Sequence, residues 1–322
     1  MHKEIGGYLE LERFSGPMLH EHALHLESGR ACLSYLIEQR GIRKLLLPDF
    51  VCDVVEDACQ AHDVMVRRYR IDANLRPETI SPEKDEWVYL INYYGQLGQP
   101  ELLEWTHRFP HMIVDNAHAY FDDPLPGIDT IYTCRKFFGV PDGALLYTDA
   151  PEKPLPASES RERMTFVLGR FERPAGEFFA EAAENNETLP LQPRAMSALT
   201  ENLLHAIDYG RVRSARTANF RQLHNALSGI NQLSVHPVEG AYAYPLMLPE
   251  GARLRRMLIE RRIFVPTLWP NVLRDQAEES TARMLAAQIL PLPCDQRYGP
   301  EDMASIIEAV ENCRKEIQEI QA

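Results

Sequence analysis

Ile-Val-Asp-Asn-Ala-His-Ala at residues 113–119 and Tyr-Thr-Cys-Arg-Lys at residues 132–136 are the two stretches that decide the fold. The first is a short apolar run that ends at the carboxylate of Asp115, and the second is an apolar run that leads to the amine of Lys136. In an open α/β sheet, ligands bind in the crevice outside the carboxyl ends of the strands. We therefore expect this acid and this amine to meet in one pocket.

The sequence around these stretches alternates between strand-like and helix-like patterns. The strand-like runs are residues 43–48, 64–69, 87–92, 112–114 and 130–133. This alternation predicts βαβ units, and hence an α/β fold with a mainly parallel sheet and helices on both of its faces. Because the turn at residues 140–143 leads directly into an apolar run at residues 144–148, we expect one antiparallel strand in a mixed sheet.

The second half of the chain does not continue this alternation of strand-like and helix-like runs. Residues 150–195 are rich in proline and charge, which predicts a surface excursion. Residues 196–227 fit one long helix or a broken pair of helices, and from about residue 233 short strands and helices form a second unit. We predict a large α/β domain at residues 1–230, which includes an irregular N-terminal arm, and a small C-terminal α+β domain at residues 231–322.

Composition excludes several classes of protein. The 322 residues carry 34 Lys and Arg against 47 Asp and Glu, a net charge of −13, which argues against nucleic acid as a partner. Residues 1–5 have no apolar core of the signal-peptide type, and no apolar run approaches the ~20 residues that a membrane span needs. We therefore predict a cytoplasmic protein with no membrane partner.

The cysteines and histidines give no metal signature. The six cysteines form no zinc-type spacing, which predicts reduced thiols. His20, His22 and His25 lie close together, but their spacing places them on neither one helical face nor one strand face. We predict no metal site.

A helix start far upstream offers a third chemical group. Ser28 and Gly29 stand where a helix cap would stand, and Arg30 follows them. Free backbone N–H groups, a hydroxyl and a guanidinium together suit a phosphate, although an ordinary N-cap explains the same residues. The nucleotide-binding patterns GxxxxGK[ST] and GxGxxG do not match this segment.

An acid, an amine and a phosphate anchor are the groups that a pyridoxal phosphate (PLP) site needs. The acid keeps the pyridine nitrogen protonated, and the lysine holds the aldehyde as a Schiff base. Further segments extend the pattern in order along the chain, namely residues 28–33 (SGRACL), 47–51 (LPDFV), 115–118 (DNAH), 135–136 (RK), 140–143 (VPDG), 268–270 (LWP), 290–293 (LPLP) and 300–302 (PED). With this ordered set the chain resembles the DegT/DnrJ/EryC1/StrS sugar aminotransferases, which are PLP-dependent enzymes of fold type I.

The resemblance implies a role for each matching residue. Lys136 would bind the cofactor covalently and move protons as the catalytic residue. Asp115 would pair with the pyridinium nitrogen, and His118 would lie near the ring hydroxyl or the ring face. Phe50 would stack on the ring, although an ordinary core phenylalanine fits the same position.

The phosphate and the assembly follow from the same resemblance. Ser28, Gly29, Arg30 and Thr133 would hold the phosphate. The site would be completed across a homodimer interface, where members of the family use an asparagine of the partner. Gln192 stands at the corresponding position in this chain.

The activity that the resemblance implies is transfer of an amino group, with glutamate as the donor, to a keto-sugar that is linked to a nucleotide, in the synthesis of polysaccharides or glycans. Two alternatives stay open. One is a PLP-dependent sugar lyase or dehydratase of the same fold, in which histidine can replace the lysine. The other is a non-catalytic binding or regulatory protein. Its support is that the residues around Gln192 and Arg30 differ from those that the family carries at these positions.

Overall fold

The computed structural model describes residues 5–321, and residues 1–4, which carry most of the signal-peptide argument, lie outside it. Within this range the chain forms a seven-stranded sheet and a separate pair of strands. The large sheet consists of β1 (Leu24–Leu26), β2 (Lys44–Pro48), β3 (Met65–Tyr69), β4 (Trp87–Ile91), β5 (Met112–Asp115), β6 (Asp129–Thr133) and β7 (Ala144–Tyr147). The pair consists of β8 (Tyr244–Met247) and β9 (Ile289–Leu292).

The large sheet has the order β1-β7-β6-β5-β4-β2-β3. Strands β2 to β6 run parallel, and β7 runs antiparallel to both of its neighbours, β6 and β1. The prediction of a mainly parallel mixed sheet with one antiparallel strand is confirmed. Strands β5 and β6 are adjacent, and the pairing of Asp115 with Ile131 brings their carboxyl ends to the same edge of the sheet.

Helices cover the sheet and build the second half of the chain. In the first half they are α1 (Gly29–Arg40), α2 (Asp53–Ala61) and α3 (Gln99–Arg108). In the second half they are α4 (Thr165–Glu172), α5 (Phe179–Glu187), α6 (Ala198–Leu204), α7 (Tyr209–Leu227), α8 (Gly251–Glu260), α9 (Pro270–Asp275), α10 (Thr281–Gln288) and α11 (Pro300–Gln321).

Three local features add detail to what the sequence predicts. Residues 196–227 form the broken pair α6 and α7, because Asp208 starts α7 by accepting a hydrogen bond from the backbone N–H of Arg211. Helix α2 begins at Asp53, and the carboxylate of Asp49 before it accepts from the backbone N–H of Ile71. The arm of residues 5–23 leads into β1, a strand of three residues that is too short to give a periodic signal.

The C-terminal pair β8 and β9 packs between helices. Apolar residues of α7, α8 and α11 form one core with these strands, and the buried side chains of Phe220, Leu254 and Val310 belong to it. The proposed domain boundary at residue 230 stays a prediction. None of the helices in residues 5–321 is long and apolar enough to cross a bilayer.

Candidate active site

The start of α1 meets the end of β6. The hydroxyl oxygen of Ser28 caps α1 by accepting from the backbone N–H of Ala31 at 3.2 Å. A Cβ atom on Gly29 would lie 3.1 Å from Cγ2 of Thr133, so only glycine allows this close approach without displacement. The structure therefore brings Gly29 close to Thr133, and binding of a phosphate by Ser28, Gly29 and Thr133 stays a prediction.

Asp115 ends β5 with both of its carboxylate oxygens occupied. Oδ1 accepts from the backbone N–H of Ala117 at 2.8 Å, and Oδ2 accepts from the hydroxyl of Tyr89 at 2.8 Å. Tyr89 lies on the neighbouring strand β4 and is 2% exposed. Because the two donors approach different oxygens, they fix the plane of the carboxylate.

Lys136 lines a cleft of about 650 Å³. Protein surrounds it, yet its side chain stays exposed to the cleft, and its Nζ lies 5.7 Å from the ring centre of Tyr242. Burial lowers the pKa of Lys136, and the charge of Arg135 acts in the same direction, whereas Asp115 and Cys52 oppose the change. A larger share of the amine is therefore neutral near pH 7, which is the form that acts as nucleophile and base.

His118 is a buried, neutral imidazole in an aromatic stack. Its ring centre lies 4.4 Å from that of Tyr242 and 5.5 Å from that of Trp269, with nearly parallel planes. The backbone N–H of Tyr94 donates to Nδ1 at 3.4 Å, which leaves the proton on Nε2. Burial, and then the charge of Lys136, lower the pKa of His118 well below its usual range.

Phe50 is part of the same aromatic group but faces little open space. Its ring is 1% exposed, lies edge-on to Trp269 with a centroid distance of 4.4 Å, and stacks with Tyr93 at 5.4 Å. Trp269 comes from the C-terminal part of the chain and packs against the rings of Phe50 and His118. Stacking of Phe50 on a bound ring stays a prediction.

Two other groups of polar residues serve the scaffold. Asn92, at the end of β4, accepts from the N–H of Leu97 and donates to Asp122, so its amide is occupied inside the protein. His20 bonds to the carbonyl of Tyr120 at 2.7 Å, whereas His25 pairs with Glu201. Across residues 5–321, no group of three or more metal-binding side chains is arranged around a common point.

The lowered pKa of Lys136 predicts how stability depends on pH. Between the folded-state pKa and the ordinary value of 10.5, the unfolded chain binds more protons than the folded protein, so stability rises with pH in this window. At pH values below this window the amine is charged in both states, so the folded protein bears the full free-energy cost of burying that charge. In protein without added cofactor, we expect Lys136→Met to raise the urea midpoint at pH 7, and this gain to shrink as the pH approaches 10.5.

Lys84→Met is the matched control, because Lys84 is exposed on the surface. We expect its urea midpoint to differ from that of the wild type by the same small amount at both pH values. A gain for Lys136→Met that is independent of pH would contradict the assignment of a lowered pKa to Lys136.

The fold matches solved structures over most of the chain. A DegT DnrJ EryC1 StrS aminotransferase from Brucella abortus shares 14% identity, with a TM-score of 0.62 over 91% of this chain and 86% of that chain. The sugar aminotransferase CalS13 from Micromonospora echinospora shares 14%, with a TM-score of 0.62 over 90% and 87%. NtdA from Bacillus subtilis with bound cofactor PMP shares 13%, with a TM-score of 0.66 over 94% and 78%.

These similarities define the class of the fold. No protein-family model and no curated protein matches the sequence. The chain has the fold of the PLP-dependent aminotransferases, and the predicted fold class is confirmed. The similarity to DegT/DnrJ/EryC1/StrS aminotransferases that the motifs indicate is confirmed at the level of the fold.

The residues at the carboxyl ends of β5 and β6 fit PLP by their chemistry. They offer the amine of Lys136, a carboxylate that is fixed by two donors, and a helix start that lies close to Thr133 because of a glycine. Tyr89 and Tyr242 also lie at this site and carry no motif of their own in the sequence, whereas Trp269 belongs to the segment at residues 268–270, which is part of the ordered set of motifs but has no assigned role there.

Proposed function

We propose that the protein is a PLP-dependent aminotransferase, which moves an amino group from glutamate to a keto-sugar. The observation that carries this proposal is the meeting of Lys136 with Asp115 and the Ser28-Gly29 helix start at one edge of the sheet, although these residues are far apart in sequence. The retained lysine favours amino transfer over dehydration, because related dehydratases can carry histidine there.

When bound, PLP supplies an electron-withdrawing ring that stabilises negative charge on a carbon beside an amino group. Lys136 would hold the aldehyde carbon and, once released, would accept and return the proton at the substrate carbon. Asp115 would hold the positive charge on the ring nitrogen. His118, with its proton on Nε2, would donate a hydrogen bond to an oxygen of the ring, and Thr133 would bind the phosphate.

The lining of the cleft supports a large, anionic acceptor. The cleft beside Lys136 is lined by the aromatic rings of Phe137 and Phe166 and by the guanidinium groups of Arg170 and Arg297, the second of which is paired with Asp295. Aromatic rings suit the faces of sugars and bases, and arginines suit phosphates. This composition suits a nucleotide-linked acceptor, and the name of the similar sugar aminotransferase CalS13 supports a sugar, so we extend the proposal to a nucleotide-linked keto-sugar in polysaccharide or glycan synthesis.

The assembly and location belong to the same proposal. Exposed apolar side chains on the N-terminal arm and on α4, among them Ile5, Tyr8 and Phe171, support a homodimer whose partner covers them. All six cysteines are free thiols, which fits the cytoplasm. The net charge of −13 supports small-molecule substrates over nucleic acid.

Absorbance spectroscopy tests the proposal directly. Purified protein with added PLP should show a visible band from the lysine-bound cofactor, and glutamate should shift this band and release 2-oxoglutarate. Addition of a nucleotide-linked keto-sugar should then restore the band and yield an amino-sugar. Wild-type protein without a visible band would refute the proposal, whereas loss of water from the sugar with no transfer from glutamate would favour the dehydratase.

A further inference from the structure

Two arginines on either side of the candidate site converge on one residue of α5. Arg30 donates from Nη2 to the carbonyl oxygen of Asn186 at 2.8 Å and from Nη1 to that of Leu189 at 3.3 Å. Arg135 donates from Nη2 to the side-chain oxygen Oδ1 of Asn186 at 3.0 Å. A single asparagine in the last turn of α5 therefore holds two guanidinium groups close together.

The positive charge of this arginine pair is not neutralised by an ion pair. Among the ion pairs formed within residues 5–321, none includes Arg30 or Arg135. The nearby carboxylate of Asp142 is buried and accepts hydrogen bonds from Ser197. Burial, and then the charge of Arg30, lower the pKa of Arg135 to about 10, as expected for two like charges that share one place.

The pair stands where the helix start meets the sheet. Arg30 directly follows Gly29, Arg135 lies two residues after Thr133, and Gly29 and Thr133 are in contact. The first turn of α1 has no acidic residue to offset the positive end of the helix dipole. Two arginines and a helix start thus bring positive charge together with no carboxylate of residues 5–321 in direct contact with either guanidinium group, and the carboxylates of Asp142 and Glu27 act on the arginines only from a distance.

We propose that Arg135 joins Arg30 in a two-arginine clamp on the phosphate of the cofactor, with Asn186 holding the clamp in place. This inference rests on the proposed function, since it assumes that PLP is the ligand. It assigns binding to Arg135, which directly precedes the catalytic lysine, and a positioning role to Asn186. A phosphate dianion would neutralise both guanidinium groups and accept hydrogen bonds from each of them.

The competing explanation is that the arginines only cap the C-terminal end of α5. Arg163 shows what such a role looks like, because it donates to Oδ1 of Asn185, to the hydroxyl oxygen of Thr188 and to the carbonyl oxygen of Thr188. It binds the same helix end without belonging to α1 or to the Lys136 segment. Arg163→Gln is therefore the matched control for loss of the helix cap.

The test compares PLP with pyridoxal, which lacks the phosphate. For each protein, the dissociation constants of PLP and of pyridoxal are each measured by visible absorbance and by quenching of tryptophan fluorescence. The ratio of the pyridoxal constant to the PLP constant measures the contribution of the phosphate. We expect Arg135→Gln and Arg30→Gln each to lower this preference for PLP by about 10- to 100-fold, the usual range for charge-assisted hydrogen bonds. Arg163→Gln should keep the preference of the wild type.

Variants of Asn186 keep the proposal testable if an arginine variant does not fold. Asn186→Asp places a carboxylate between the two guanidinium groups and should lower the preference for PLP by at least about tenfold. Asn186→Ala removes the side-chain acceptor of Arg135 but keeps the backbone carbonyl that Arg30 binds, so it should lower the preference by a smaller factor of about three- to tenfold. A preference that is unchanged in Arg135→Gln and Asn186→Asp, or reduced equally in Arg163→Gln, would overturn the clamp. Wild-type protein that binds PLP no better than pyridoxal would also overturn it, whereas wild-type protein that binds neither would refute the proposed function.

Discussion

Lys136→Ala is expected to reduce amino transfer by at least about 1,000-fold, because it removes the group that both holds the cofactor and transfers the proton. The visible band of the lysine-bound cofactor should disappear, since alanine has no amine to bind the aldehyde. Noncovalent binding of PLP should remain, because Asp115, Thr133 and the start of α1 are unchanged. Steady-state transfer from glutamate and equilibrium dialysis with PLP measure the two effects separately.

Two further variants separate the chemistry of Lys136 from its charge and its bulk. Lys136→Arg keeps a positive charge in the cleft but cannot act as a nucleophile, so it should be nearly as inactive as Lys136→Ala. Lys153→Ala alters a lysine that pairs with Glu38 far from the cleft and should leave the rate unchanged. Transfer activity in Lys136→Arg close to that of the wild type would refute a covalent role for the lysine.

The sheet could be predicted from the sequence because its strands are apolar runs of ordinary length. Strands β2, β4, β5 and β6 lie in the interior of the sheet and are almost fully buried, so their sequences are continuous and hydrophobic. Strand β3 lies at the edge with three of its five residues exposed, and β1 has only three residues. The edge strands therefore carry the weaker signals, and β1 gave none.

The part of the site that could be predicted is the part that lies at strand ends. Asp115 and Thr133 follow apolar runs, and Ser28 and Gly29 begin a periodic helix, so local patterns point to each of them. Their roles in binding a cofactor stay predictions. What the sequence does not contain is the distance between them, which depends on the order of the strands in the sheet.

The aromatic and tyrosine contacts of the site could not be predicted for a physical reason. Tyr89 lies in the middle of a buried strand, where an apolar ring is ordinary, and only its pairing with β5 brings its hydroxyl to Asp115. Tyr242 and Trp269 reach the cleft from the C-terminal part, more than 100 residues away from His118. A contact of that kind depends on how the two parts of the chain pack and leaves no trace in local periodicity.

Asp115→Asn should be the second most damaging change and should act through the cofactor ring. The single carbonyl oxygen of asparagine can still accept from the backbone N–H of Ala117, and its NH2 group can donate to the hydroxyl oxygen of Tyr89, but the amide offers no negative charge to a protonated ring nitrogen. We expect the turnover number to fall by roughly 100- to 1,000-fold, the range for loss of one preorganised electrostatic contact, with a smaller change in the affinity for PLP. The half-reaction with glutamate, followed by stopped-flow absorbance, measures this loss.

Tyr89→Phe distinguishes loss of charge from loss of orientation. It leaves the carboxylate of Asp115 in place and removes one of its two donors, so we expect a fall of about tenfold or less. If Asp115 only organises the end of β5, the two variants should slow the half-reaction equally and lower the melting temperature equally. If Asp115 acts on the ring nitrogen, the half-reaction should be much slower in Asp115→Asn than in Tyr89→Phe, because the reaction then requires the charge of the carboxylate. The melting temperatures of the two variants should stay similar.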